Sequence, residues 1–405
     1  MSTMEEFLIP YKQKLSRNRF AVECLEKLMQ MMPLQDFVFS PYSIYEGLMM
    51  VYFASNGDTE KRLKTILHLP DNFAKANWLS YYSKEIRKNN REKFNKYYDQ
   101  KICWIHKNKN LKDVTSTLFN PQKCLKLDPS TSNFKQEINT VLKNEMQDCL
   151  LSCINFKNIT ENMEFILSSV LCFKGQIQQA NNLFELENNS LRAPKISLSS
   201  KLKVFVTELP FGVKQSLYML FPAEQLNSHT WKTNENLIEV IKKLSSDDTM
   251  TDFYTMLDDN TSLEQLSRET FIHPINIFEV QEELPVSQLL FNLNILQLLE
   301  PNVAELNNFT QENLLLGSCM HRAYIKVTED NVIARAINMF LTKDELTLFK
   351  TYCKDTSYTK QNRSFVWLIY DKFNRTILFT GVINKSPEQE PVSLLLRTRS
   401  ASVSF

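Results

Sequence analysis

Ala323-Tyr-Ile-Lys-Val-Thr-Glu-Asp-Asn-Val-Ile-Ala-Arg-Ala-Ile-Asn338 is the stretch around which the rest of this 405-residue chain is arranged. It opens with aromatic and β-branched residues, which predict a strand, and then crosses an acidic, polar step at Thr328–Asn331. A long run of polar, aromatic and charged residues with neither helical nor strand period follows, before a buried strand at Phe365–Tyr370. Such a long connection inside a compact chain is uncommon and usually functional.

The residues just past the polar step have two unlike faces when they are read as a strand. Alternate side chains point to opposite sides, Val332, Ala334 and Ala336 to one and Ile333, Arg335 and Ile337 to the other. The first face is small and apolar and fits a sheet interior, whereas the guanidinium on the second needs water or a partner. The pattern indicates a strand able to enter a sheet, with an ordinary solvated loop as the alternative.

Composition and charge exclude several classes of protein. The chain is 43% hydrophobic with a net charge of +1, which is typical of a soluble globular protein of one large domain or a few small ones. No basic stripe predicts nucleic-acid binding, and no apolar run approaches the ~18 residues that span a bilayer. The six glycines are scattered, so phosphate-cradling loops for nucleotides are absent.

Cysteine and histidine usage predicts neither a metal centre nor a catalytic site. Eight cysteines lack any Cys-x-x-Cys pair, and the closest two, Cys149 and Cys153, lie one helical turn apart. We interpret the cysteines mostly as small buried hydrophobes rather than as a disulfide framework or a zinc site. Five histidines show no metal spacing and there is no Gly-x-Ser-x-Gly elbow, so we expect no enzyme, metal or cofactor. A Cys353–histidine dyad has nothing specific behind it.

The first hundred residues predict alternating helices and a short strand. Helical spacing favours a helix over Leu15–Met32, and Asp36–Pro41 is typical of a short buried strand. Ser43 is predicted to cap a second helix that runs through Tyr52, and Thr59 to cap a third over Glu60–Leu67.

These segments and several later ones resemble the serpin family. The motifs that carry the resemblance are Asp36-Phe-Val-Phe-Ser-Pro-Tyr-Ser-Ile, Asn56-Gly-Asp-Thr, Phe165-Ile-Leu-Ser-Ser-Val-Leu-Cys-Phe-Lys-Gly175, Glu208-Leu-Pro-Phe, His321-Arg-Ala-Tyr-Ile-Lys-Val and Ile377-Leu-Phe-Thr-Gly-Val-Ile. They occur in the family's order, and the resemblance covers roughly residues 16 to 387. It implies an α+β fold with one large central sheet, two smaller sheets, about nine helices and an exposed reactive-centre loop over about 331–364. A single domain over 1–387 and a disordered tail over 388–405 are expected.

The resemblance implies a protease inhibitor that acts as a suicide substrate. The protease attacks the loop, and the cleaved loop then inserts into the main sheet and carries the protease with it. The implied partner is a serine protease, most readily a trypsin-like one, with a cysteine protease as the alternative. A monomer with no nucleic-acid or membrane partner is expected. Family habit favours secretion, but the N-terminus shows no secretory signal, which favours the cytoplasm.

The resemblance implies that two groups of residues carry that mechanism. The hinge of the loop is Glu329, Asp330, Asn331, Val332, Ala334 and Ala336, and the cluster that lets the sheet open is Ser40, Ser43, Ser169 and His321. Several positions depart from the family pattern: Asn331 replaces a glycine, Val332 a threonine, Ser169 an asparagine and Ile177 a tryptophan. The altered hinge and the lost tryptophan favour the alternative of a non-inhibitory serpin that acts as a binding, carrier or chaperone-like protein, whereas the small inward face opposes it.

The spacing does not identify the scissile bond. The family's count forward from the hinge reaches Glu345, whereas the count back from Phe365 reaches Cys353. The loop therefore carries an insertion. Lys350 and Lys354 lie in the same window and would suit a trypsin-like protease, whereas Glu345 would suit an acid-specific one.

Overall fold

Two β-sheets, of seven and eight strands, form the frame of the described chain, and nine α-helices pack around them. The computed structural model describes residues 3–89, 97–146, 163–177, 195–211, 214–227, 230–233, 236–259, 263–265, 277–295, 298, 300, 304–311, 314, 316–341, 354–359 and 363–384. An α+β fold with one large sheet is confirmed. The remaining eight described strands are linked beside it, with one strand off their main order.

The helices are α1 Thr3–Met31, α2 Pro41–Ala54, α3 Gly57–Ile66, α4 Lys75–Asn89, α5 Asp113–Leu118, α6 Phe134–Met146, α7 Leu237–Ser245, α8 Asp247–Asp259 and α9 Val286–Asn292. A 3₁₀ turn covers Pro121–Lys123. The strands are β1 Phe37–Phe39, β2 Tyr97–His106, β3 Cys124–Leu127, β4 Phe165–Gln176, β5 Lys195–Ser199, β6 Val204–Phe211, β7 Gln215–Asn227, β8 Thr230–Thr233, β9 Glu264–Gln265, β10 Phe278–Leu284, β11 Ser318–Val327, β12 Asn331–Leu341, β13 Lys354–Thr359, β14 Phe365–Asp371 and β15 Thr376–Ile383.

The predicted starts of α2 and α3 are each wrong by three residues, for identifiable reasons. Helix α2 is capped by Ser40, whose hydroxyl accepts a hydrogen bond from the Ser43 N–H at 3.0 Å, and Pro41 needs no partner at the first helical position. Helix α3 begins after Asn56, and the Thr59 hydroxyl instead accepts from the Glu305 N–H at 3.1 Å. Helix α1 begins well before Leu15.

The seven-stranded sheet has the order β13-β10-β11-β12-β4-β2-β3. The second sheet runs β1-β15-β14-β7-β6-β5-β9, with β8 paired to β7. The first sheet is covered on two faces. One part of its first face packs on the second sheet through residues such as Trp367 and Phe379. The rest of that face lies over the apolar helix α2. Helix α6 crosses the opposite face, where Phe134, Ile138 and Leu142 pack on it.

Candidate functional site

Strand β12 lies inside the seven-stranded sheet and is paired on both edges. It is antiparallel to β11, from Val332 opposite Val327 to Leu341 opposite Ser318. It is also antiparallel to β4 along its whole length. The loop was expected to be exposed from Asn331 onward, so this expectation is wrong for residues 331–341. The physical reason is that a central position pairs both edges of the strand and buries one face completely.

The small face of β12 fills the space between the two sheets. Val332, Ala334 and Ala336 have no exposed surface and pack in the core that also holds Trp367. Larger side chains at these three positions would collide with a core that is already filled. The parity predicted from the sequence is therefore the parity of the structure.

The opposite face of β12 is buried further along than expected. Ile333 and Arg335 are half-buried, and burial lowers the pKa of the Arg335 guanidinium. Ile337 was expected to share that outward position, but it is fully buried beneath α6, followed by Met339 and Leu341. The covering helix explains why only the first part of this face contacts water.

A tight turn joins β11 to β12 at the predicted hinge. The Thr328 N–H donates to the Asn331 carbonyl at 2.9 Å, and the Asn331 N–H donates to the Thr328 hydroxyl at 3.0 Å. Glu329 and Asp330 form the exposed tip, where the Ile177 N–H donates to the Asp330 carbonyl at 2.7 Å. Asn331 has a negative φ and pairs as an ordinary strand residue, so no glycine-like backbone is needed there in this conformation.

A row of four polar residues crosses four adjacent strands of the seven-stranded sheet. Lys101 of β2 is opposite Ser169 of β4, Ser169 is opposite Asn338 of β12, and Asn338 is opposite His321 of β11. All four are on the face that rests on α2. We call this set the polar row.

His321 is held neutral at one end of the polar row. Its Nε2 accepts a hydrogen bond from the Ser40 N–H at 3.1 Å, while the Ser40 hydroxyl donates to the Leu378 carbonyl at 2.8 Å. Burial lowers the pKa of His321 to about 3. Since Nε2 accepts, the neutral ring carries its proton on Nδ1. That Nδ1 has no hydrogen-bond partner among the described residues.

Ser43 and Ser169 join α2 to β4 on the other side of β12. The Ser43 hydroxyl lies 3.2 Å from the Ser169 carbonyl and 3.3 Å from its hydroxyl. Helix α2 therefore contacts β11 through Ser40 and β4 through Ser43, which are the two strands that β12 separates. Any movement that opens or closes the slot for β12 must remake at least one of these contacts.

Asn338 occupies the centre of the polar row, directly beneath Gly47 of α2. A Cβ built on Gly47 would lie 2.6 Å from the Asn338 Nδ2 and 2.9 Å from the ring of Phe340. Atoms of real side chains do not approach this closely, so a residue larger than glycine would force the Asn338 and Phe340 side chains to shift. Both amide atoms of Asn338 are buried and without hydrogen-bond partners in the described part of the chain.

A buried ion cluster anchors the end of the polar row that is formed by β2. Glu46 of α2 lies 3.0 Å from the Lys101 Nζ and 2.7 Å from the Arg17 guanidinium, and it accepts from the Tyr82 hydroxyl at 3.0 Å. Burial alone would raise the pKa of Glu46, but Lys101 and Arg17 outweigh it and hold that pKa below its usual range. The cluster fixes β2 to α2 and α1.

The structure brings together all four residues of the predicted sheet-opening cluster. It adds Lys101, Asn338, Glu46 and Gly47, which the sequence reasoning missed. Asn338 was within reach, because it follows Ala336 in the same parity series. Glu46 gave a signal as the only acidic residue of α2. No sequence signal pointed to Lys101, because its partners come from distant parts of the chain.

Most candidate scissile residues lie outside the described residues: Glu345, Lys350 and Cys353. Lys354 is the first residue of β13, which is antiparallel to β10 with Lys354 opposite Glu282. The uncut chain thus has residues from both sides of the segment 342–353 in one sheet. Cys149, Cys153 and the tail 388–405 also lie outside the described residues.

Other kinds of site find no support among the residues that the structure describes. No group of three or more histidine, cysteine or acidic side chains there is arranged to hold a metal ion. No helix in the described ranges has the length and hydropathy to cross a membrane.

Comparisons with known proteins agree with this architecture. The family model for Serpin (serine protease inhibitor) matches residues 15–386. Serine protease inhibitor 88Ea of Drosophila melanogaster is 23% identical over 409 aligned residues, which cover 90% of this chain and 89% of that protein. The solved structure of cleaved Serpin 42Da has a TM-score of 0.68 at 16% identity and covers 93% of this chain and 99% of that one. The thermophilic serpin tengpin in the latent state has a TM-score of 0.67 at 16% identity, with 92% and 98% covered.

Proposed function

The chain belongs to the serpin family, and we propose that it is a suicide-substrate inhibitor of a protease. In this mechanism the protease cleaves the loop and remains bound as an acyl-enzyme while the new strand enters the sheet. Displacing the catalytic groups of the protease by about an ångström slows deacylation by orders of magnitude. Residues 331–341 are the segment that enters.

The observation that carries the proposal is the fit of β12 to its slot. Five large apolar residues become fully buried there: Val332, Ile337, Met339, Phe340 and Leu341. At ~1.5–3 kcal/mol for each such side chain, burial supplies on the order of 10 kcal/mol as an upper estimate. That free energy is available only when the strand is in the sheet, so it can drive insertion.

One observation favours the second candidate, a non-inhibitory serpin that acts as a binding, carrier or chaperone-like protein. The uncut chain already has β12 in the sheet and β13 at its edge, so cleavage of this form cannot draw residues 331–341 into a slot that they already occupy. The inhibitor proposal therefore requires a folded state in which β12 lies outside the sheet before attack. Asn338, whose buried amide has no described partner, also lowers the gain from insertion.

For the target, we propose a trypsin-like serine protease that cleaves after Lys350 or Lys354. A papain-like cysteine protease and an acid-specific protease acting at Glu345 are the alternatives. We further propose a monomer. Secretion is proposed from family habit, and export of the full-length protein into culture medium tests it against the cytoplasmic alternative.

The deciding experiment mixes freshly refolded protein with trypsin-like and papain-like proteases and resolves the products on denaturing gels. A covalent adduct that survives denaturation supports inhibition, and the adduct should carry a cut within 342–354. Cleavage in this window without adduct, and without a rise in melting temperature of the nicked chain, would favour the non-inhibitory candidate.

Arginine substitutions on the two faces of β12 supply a test of insertion and its matched control. Ala334→Arg places a guanidinium in the core between the sheets and should abolish the adduct, whereas Ile333→Arg changes the half-exposed face and should retain it. Adduct formed equally by both variants would contradict insertion of β12 as the trapping step.

A further inference from the structure

Two cysteines are direct neighbours at the outer edge of the seven-stranded sheet. Cys103 of β2 is opposite Cys124 of β3 in a parallel pairing, and β3 is the last strand in the sheet order. In-register residues of adjacent strands point to the same face. Cys103 is fully buried in the core under the sheet, and Cys124 packs against the same core. Neither takes part in the site described above.

The spacing of these neighbours suits a disulfide bond. Adjacent strands lie about 4.7–4.9 Å apart, and disulfides join residues whose Cα atoms are about 4.4–6.8 Å apart. The two cysteines are not joined by a disulfide in this structure, and their side chains lie on the same face of adjacent strands. A bond between them therefore requires rotation of the side chains and a small approach of the two strands, without a change of register.

The two thiols differ in access and in acidity. Cys124 is half-buried and so is partly open to solvent, whereas Cys103 is fully buried. The neighbouring Cys103 thiol lowers the pKa of the Cys124 thiol, whereas Cys124 and burial raise the pKa of Cys103. Because the thiolate is the nucleophile, Cys124 is the residue that reacts first.

We propose that Cys103 and Cys124 form a reversible disulfide that fastens the edge strand β3 to β2 in the presence of a peroxide. The Cys124 thiolate attacks hydrogen peroxide and, with one proton, gives a sulfenic acid and one water. The Cys103 sulfur then attacks the sulfenic sulfur, forms the S–S bond and releases a second water. Two thiols and one peroxide thus become one disulfide and two waters, and a thiol reductant reverses the change.

The bond would act on the edge of the sheet and leave the slot for β12 untouched. Both strands lie on the same side of β12, beyond β4, so the disulfide does not cross the gap between β11 and β4. Strand β3 has only four residues, and the bond would close the loop that includes α5 and the 3₁₀ turn. We expect a higher melting temperature without a change in adduct formation.

Peptide mapping tests the proposal on the full chain. Folded protein is treated with hydrogen peroxide, alkylated with N-ethylmaleimide and digested with trypsin. Lysines flank both cysteines, so Ile102–Lys107 and Cys124–Lys126 are released with one cysteine each. The expected product is these two peptides joined by a disulfide, lost on reduction and absent when oxidation is performed in concentrated urea.

Two other outcomes of the mapping would overturn the proposed disulfide. Recovery of both peptides alkylated while another cysteine is oxidised excludes the pair, as does Cys124 recovered as sulfinic acid without any linked peptide. Cys172→Ser, which removes a half-buried cysteine of β4, should leave the linked product unchanged. Cys103→Ser should abolish it, together with the rise in melting temperature on oxidation.

Discussion

Gly47→Ala should destabilise this structure because of a contact that exists only when β12 is in the sheet. The added methyl group would lie 2.6 Å from the Asn338 Nδ2 and 2.9 Å from the Phe340 ring, and both residues belong to β12. With β12 outside the sheet, neither atom is present at that point. The same substitution in the middle of helix α2 then brings only the gain that alanine has over glycine in a helix.

The two effects have opposite signs and differ in size. Overpacking a filled interior costs about 1–3 kcal/mol. Replacing glycine by alanine within a helix contributes about 0.5–1 kcal/mol of stability. We therefore expect Gly47→Ala to lower the free energy of unfolding of the inserted form by about 1–2 kcal/mol, and to disfavour insertion relative to the state with β12 outside.

A double-mutant cycle with Asn338→Ala measures this contact. Asn338→Ala alone should be close to neutral, because it removes a buried amide that has no described hydrogen-bond partner. In that background Gly47→Ala meets only the Phe340 ring and should cost much less, which gives a coupling of about 1–2 kcal/mol in urea unfolding. Incubation with the target protease should yield less adduct and more cleaved protein from Gly47→Ala.

Two results would refute the reasoning. If Gly47→Ala costs the same with and without Asn338→Ala, the two positions are not in contact and β12 is not seated as described. If Gly47→Ala stabilises the protein by itself, the helix gain acts alone and the slot under α2 is empty in solution.

Further predictions concern the two ends of the polar row. The folded-state pKa of His321 is about 3 against 6.5 for an ordinary histidine, so the unfolded chain binds the proton first as the pH falls. The contribution of His321 to stability is intact above pH 6.5. Lowering the pH to 5 should remove about 2 kcal/mol of unfolding free energy from the parent but not from His321→Gln. Urea unfolding at both pH values measures this difference. Lys101→Met leaves Glu46 with Arg17 as its cationic partner and should cost about 2–4 kcal/mol of unfolding free energy. Part of that loss should be recovered in the double variant Lys101→Met/Glu46→Gln. Equal stability of the single variant and the parent would contradict the buried ion pair.

The sequence predicted much of the framework because local patterns and burial coincide there. The apolar run Phe365–Tyr370 is a buried central strand, as expected from its lack of alternation. Phe165–Gly175 is a central strand too, as the family resemblance implied. Helix starts were less accurate at Ser43 and Thr59, since several neighbouring residues are able to cap and only the backbone angles select one.

Sequence alone determined which face of the segment after Asn331 is able to enter a sheet, since strand geometry fixes the alternation of Val332, Ala334 and Ala336 whatever surrounds them. It did not determine where that segment lies, because a free loop and a central strand use the same residues. The tertiary structure decided this: α2 and α6 cover the two faces of β12, and Gly47 leaves the space for Asn338. Such contacts join residues hundreds of positions apart, and no local pattern encodes them.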